Sequence, residues 1–144
     1  MSLTLERATI IADAALAEGR RLKLAPLVVA VLDAGGHLLV FKREDGAGIM
    51  RFDIAFAKAW GSLGLGFGSR ELTERAAKMP VFYAALASAA SGRLAPSPGG
   101  VLISEGGTVI GAIGVSGDVG DQDEAAALAG AKAAGFEATG RAPA

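Results

Sequence analysis

The chain has 144 residues, a formal charge of -1, 51% hydrophobic and 20% charged residues, which describes one folded domain over 1–144 with a substantial core. It has no cysteine and one histidine; this excludes disulfides, thiolate chemistry and a multi-histidine metal site within one chain, and no metal centre is expected. A near-neutral balance gives no basic field for nucleic acid or an anionic membrane.

A helix is expected over residues 4–24, where Leu5, Ala8, Ile11, Ala12, Ala15 and Leu16 follow the spacing of one buried face, with Ser2 or Thr4 as cap. Residues 27–32 are a Val-rich apolar run and 37–42 a second one, joined by Asp33-Ala34-Gly35-Gly36, which reads as a β-hairpin. Arg43, Glu44, Asp45 and Gly46 leave the sheet, and residues 50–63 return to helical spacing. Ser69 caps a short helix that Pro80 ends, and Pro80 starts another reaching about residue 90. Residues 91–100 read as a loop. A second hairpin spans 101–104 and 108–116 across Glu105-Gly106-Gly107. An Ala-rich helix over 121–135 follows, and the tail from 137 is expected to fray. Helices in blocks around two hairpins indicate an α+β fold with an antiparallel sheet built from two hairpins and flanked by helices. No apolar run reaches the roughly 18 residues of a membrane span. No secretory pattern opens the chain, so the expected compartment is the cytoplasm.

Glycine is the unusual residue: 21 of 144, about twice the ordinary share of roughly 7%. Gly114-Val115-Ser116-Gly117-Asp118 is a near miss to the Gly-x-Ser-x-Gly nucleophile elbow. That elbow needs a strand entering a helix and a histidine base, and the single His37 lies in a hairpin. The segment reads better as a nest of backbone N–H groups for a carboxylate or phosphate, with the helix near Asp121 adding its positive end. Lys58, among small apolar neighbours, is a candidate anion clamp reaching a pocket between helix and sheet. Arg43 and Asp45 at the strand exit form an ion pair or contact a ligand. Asp118, Asp121, Asp123 and Glu124 read as the acidic first turn of a helix.

Taken together, the segments Val29 to Leu38, Arg43-Glu44-Asp45-Gly46, Ile54 to Ala59 and Ile110 to Gly117, with Asp121 after them, resemble the HbpS/GlcG family of haem-binding-like domains. The same domain is similar to the C-terminal half of PduO-type corrinoid adenosyltransferases. The resemblance covers nearly the whole chain. It implies a profilin-like α+β fold, homo-oligomers as large as octamers, and a haem or tetrapyrrole ligand. GlcG-like members are associated with glycolate-type metabolism, which implies small acids. The histidine that ligates haem in the first helix of haem-binding members has no counterpart here; His37 is the candidate axial ligand, with Tyr83, Met50 and Met79 as alternatives.

The leading expectation is a small-molecule-binding domain. Arg43 and Lys58 would hold an anionic group such as a carboxylate or a haem propionate. Backbone amides of Gly99, Gly100, Gly114, Val115, Ser116 and Gly117 would complete the cradle. Lys58→Ala is then expected to weaken binding without unfolding the chain. One alternative is an isomerase or lyase acting on a small hydroxy- or oxo-acid, with Asp121 or Asp45 moving the proton and Lys58 stabilising an enolate-like charge. The other is a structural or regulatory oligomer.

Overall fold

The computed structural model describes residues 2–143. Helix α1 (Leu5–Arg21) opens at Thr4, whose Oγ1 accepts the Arg7 N–H at 3.2 Å, so one orphan amide of the first turn is satisfied. Strands β1 (Val28–Asp33) and β2 (Leu38–Arg43) form the first hairpin. Gly36 turns it at φ 83°, a left-handed conformation that glycine adopts without a Cβ penalty. Helices α2 (Arg51–Leu65), α3 (Ser69–Lys78) and α4 (Pro80–Ala89) follow. Strands β3 (Gly100–Glu105) and β4 (Thr108–Ser116) make the second hairpin; α5 (Gly120–Ala133) and a short β5 (Glu137–Thr139) complete the fold.

The α+β expectation holds. The five strands lie in the order β2-β1-β4-β3-β5, each neighbouring pair antiparallel. The hairpins are joined through β1 and β4, with Val28 opposite Ser116 and Ala30 opposite Gly114. Alternation along β1 explains its unbroken apolar run. Val29 and Val31 enter a core with Ile11, Ala15 and Ala127 of α1 and α5, while Val28, Ala30 and Leu32 enter a second core with Ala55 and Ala59 of α2.

Small residues set how closely α2 lies on the sheet. Ala112, Gly114 and Gly100 face it, and a Cβ at Gly114 would collide with the Ala55 carbonyl. The interior glycines of β4 are thus close-approach sites, as expected of glycine inside a strand.

The tail differs from expectation. Residues 137–139 pair with β3 as β5 rather than fraying. The next residues clasp the start of α3. Gly68 donates its N–H to the Arg141 carbonyl at 3.0 Å, Glu71 donates to Gly140 at 3.1 Å, and Arg141 pairs with Glu74 at 2.7 Å. Backbone pairing and an ion pair hold a segment whose composition alone offers little to bury.

Candidate functional site

Lys58 is the most deeply buried cation of the chain, 2% exposed on α2. Its Nζ donates to the Val115 carbonyl at 2.9 Å and to Asp123 Oδ2 at 3.0 Å. Asp123, 1% exposed, accepts the Asp118 N–H on its other oxygen at 2.9 Å. Burial pushes the Lys58 ammonium below the ordinary lysine range and the Asp123 carboxyl above the ordinary aspartate range, and the attraction between the two opposes both shifts. The pair therefore pins α2 to the end of β4 and the first turn of α5.

The predicted cradle folds around this pair. Gly99 and Gly100 pass so close to Lys58 that a Cβ on either would meet its Nζ or its backbone. Two of its amides are engaged within the protein: Gly100 donates to Ser69 Oγ at 2.7 Å and Val115 donates to the Gly99 carbonyl at 3.0 Å. Gly114 sits in the β1–β4–β3 ladder. At Gly117, φ is 152° and the backbone passes beside Pro26 and Leu27. Ser116 is buried and accepts from Arg51 Nη1 at 3.2 Å. Lys58, the glycines and Ser116 are brought together as the sequence suggested, but Lys58 is directed at Asp123.

Arg43 stands apart from that group at the end of β2. It donates to the Ala47 carbonyl at 3.2 Å and borders an open groove of about 440 Å³ with Arg20, Pro26, Glu44 and Asp45. Arg43 and Asp45 do not form the ion pair that was one reading of the strand exit; Arg20 pairs with Glu44 instead, at 2.9 Å. Asp121 is exposed and tied to Arg70 at 2.5 Å, with Glu124 on the same guanidinium at 3.0 Å. His37 is on the surface with Nδ1 3.1 Å from Asp33 Oδ1, and Asp33 also accepts the N–H groups of Gly35 and His37. Met50 and Met79 are exposed. Among the described residues no group of three acidic or histidine side chains could hold a metal ion, and no helix is long and apolar enough to cross a membrane.

Two features were not anticipated. The sequence places Asp123 with Asp118, Asp121 and Glu124 in an acidic helix start, whereas the register of α5 turns Asp123 inward, 1% exposed. The second is an apolar cavity of about 440 Å³ between α3 and α4, walled by Leu72, Ala76, Tyr83, Ala87 and Leu94. Across Leu94 lies a smaller apolar recess of about 220 Å³ between Trp60 and α4. The Arg75 guanidinium pairs with Glu71 and covers the Phe67 ring at 4.2 Å. A signal for this cavity existed: Met79 to Ser91 carries no charged residue, yet no residue of α4 is buried. Apolar helices are ordinarily buried, so one left this exposed is a candidate contact surface.

A family model described as haem degrading protein HbpS-like matches residues 3–132. An uncharacterized 15.0 kDa protein of the dhaT-dhaS intergenic region in Citrobacter freundii is 33% identical over 122 residues, 85% of this chain and 84% of that one. The crystal structure of a PduOC:heme complex superposes with a TM-score of 0.87 at 25% identity, covering 96% of this chain and 99% of the other. That of a double mutant of Streptomyces reticuli HbpS superposes with a TM-score of 0.79 at 34% identity, covering 92% and 86%.

Proposed function

The chain belongs to the HbpS-like family, and on that premise we propose that it binds a haem-class tetrapyrrole in the apolar cavity between α3 and α4. The observation that carries this is the cavity itself. Its volume lies within the roughly 300–1,000 Å³ of small-molecule sites, and its wall is apolar apart from a few polar groups, as such sites require. A flat macrocycle needs apolar faces on both sides; Leu72 and Ala76 of α3 and Ala84 and Ala87 of α4 supply them. The recess beyond Leu94 extends the same apolar surface toward Trp60.

The polar groups fit as well. Tyr83 lines the cavity, and a tyrosine oxygen is an established haem-iron ligand. Thr73 adds a second hydroxyl to the same wall. His37 has its ring on the surface and one nitrogen engaged with Asp33, on a hairpin that contributes nothing to this wall. When bound, haem iron would supply redox and oxygen chemistry; the chain's own residues bind, orient and shield it. The heme complex of PduOC, of the same fold, supports the assignment of ligand class.

The test is a hemin titration followed at the Soret band, with Tyr83→Phe and His37→Ala. A saturable one-to-one shift that survives His37→Ala and is lost or displaced in Tyr83→Phe is expected. Loss in His37→Ala alone would move the iron to the hairpin, and a weak non-saturating rise would reject the reading.

A second reading, assembly into a homo-oligomer, is supported by α4. Met79, Val81 and Phe82 are 55%, 83% and 52% exposed, on a helix without charge. Packing α4 against another copy would remove this surface from water.

A further inference from the structure

We propose that a second site lies at the end of the sheet, where β1 begins and β2 and β4 finish, and that Arg43 and Arg51 there hold a small metabolite bearing a carboxylate or phosphate. The strand register brings the groups together. Val28 pairs with Arg43 on one side and with Ser116 on the other. Directly opposed residues share a face, and Val28 faces α2. Arg43 and Ser116 thus flank Val28 on that face, two strand spacings or roughly 10 Å apart. Arg51, the first residue of α2, reaches into the same rung and donates to Ser116 Oγ at 3.2 Å.

The charge pattern singles out these two guanidiniums. Arg7, Arg20, Arg21, Arg70, Arg75 and Arg141 each pair with a carboxylate. Arg93 stacks on Trp60 at 3.6 Å. Among the described residues only Arg43 and Arg51 have neither arrangement, and each makes a single hydrogen bond, although a guanidinium offers five N–H donors in a fork matched to oxyanions. Nearby carboxylates do not take up those donors. Asp118 accepts the amides of Ala25 and Val119. Asp123 is engaged by Lys58 and the Asp118 amide. Glu44 is held by Arg20 and the Leu27 amide.

The groove beside Arg43, walled by Arg20, Pro26, Glu44 and Asp45, gives the ligand room, about 440 Å³ open to solvent, while Arg51 stands at the Ser116 end of the rung outside that wall and would approach the ligand from there. Asp45, exposed on its wall and without a cation, supplies an acceptor for a hydroxyl or amine on the same ligand. An oxyanion at one end and a hydrogen-bond donor a short way from it is the chemistry that matches. This site shares no lining residue with the α3–α4 cavity, so the two assignments stand or fall separately.

The test is calorimetric and NMR titration of the full chain with lactate, which carries a carboxylate and a hydroxyl, and, separately, with inorganic phosphate, at constant ionic strength. Saturable binding of at least one probe is expected, with amide shifts confined to residues 43–45, 51 and 116–118. Arg43→Gln and Arg51→Gln should each weaken it about tenfold or more, or 1.4 kcal/mol, while hemin binding stays unchanged. The probe that binds more tightly identifies the oxyanion class. Arg43 is exposed at a strand end, so Arg43→Gln carries the test if Arg51→Gln misfolds. Absence of saturable binding by both probes overturns the proposal, as does binding that both variants retain in full.

Discussion

Replacing Lys58 by methionine keeps the aliphatic stem and removes the ammonium. The structure makes the consequence calculable. Asp123, 1% exposed, loses its cation, and the Val115 carbonyl loses a donor. Removing one member of a buried ion pair costs about 3–5 kcal/mol, because the remaining charge is left uncompensated. With a urea slope of about 2 kcal/mol per molar for a small domain, the unfolding midpoint should fall by roughly 1.5–2.5 M. Asp123→Asn keeps an oxygen for the Asp118 amide, so Lys58→Met combined with Asp123→Asn should recover part of the loss, with a coupling of about 2 kcal/mol in the double-mutant cycle. The pH dependence has a definite sign. Burial already raises the Asp123 carboxyl, and Lys58 is the largest of the influences that hold it down, ahead of the Asp118 amide and Arg51. Without Lys58 the folded state binds that proton more tightly than the unfolded chain. Stability of the variant therefore falls as pH rises from the ordinary aspartate range through the raised folded value. The measurement is urea unfolding by circular dichroism at several pH values. A loss under about 1 kcal/mol, independent of pH, would refute the reasoning, since a buried pair cannot be opened that cheaply.

Other outcomes follow from the packing. Gly114→Ala should lose at least the roughly 1–3 kcal/mol of an overpacked core, because the new Cβ meets the backbone of Ala55 and Ala59 rather than a side chain that could turn away; a melting temperature equal to the parent's would contradict the close approach of α2 to β4. Gly64→Ala, on the same helix with only ordinary contact to Trp60, should instead gain up to about 1 kcal/mol from helix propensity, read in the same thermal melt. Val81→Glu together with Phe82→Glu should lower the sedimentation coefficient if α4 is an assembly surface; an unchanged value would assign that face elsewhere.

Much of the fold was legible because local chemistry and tertiary packing agree. The two-glycine turns, the alternating burial of β1 and the Pro80 boundary all appear where turn chemistry and periodicity place them. β5 did not, because a three-residue strand is created by the β3 edge beside it rather than by its own sequence. The site divides the same way. That Lys58, Gly99, Gly100 and Ser116 meet was legible from their small neighbours and glycine loops. Where Lys58 points depends on the rotation of α5, which decides that Asp123 rather than Asp121 faces inward, and an Ala-rich helix carries almost no amphipathic signal to fix that rotation. Arg51 carries no local signal for a related reason: its partner, Ser116, lies 65 residues away in sequence.

The clasp between residues 140–142 and the start of α3 ties a peripheral segment to the interior of another part of the chain. Gly140 and Arg141 hold the start of α3, one wall of the α3–α4 cavity, through the amides of Gly68 and Glu71. Cleavage just before Gly140 would release that wall while the sheet and α2 keep their own contacts, so a clipped chain would present an intact sheet with a slack cavity.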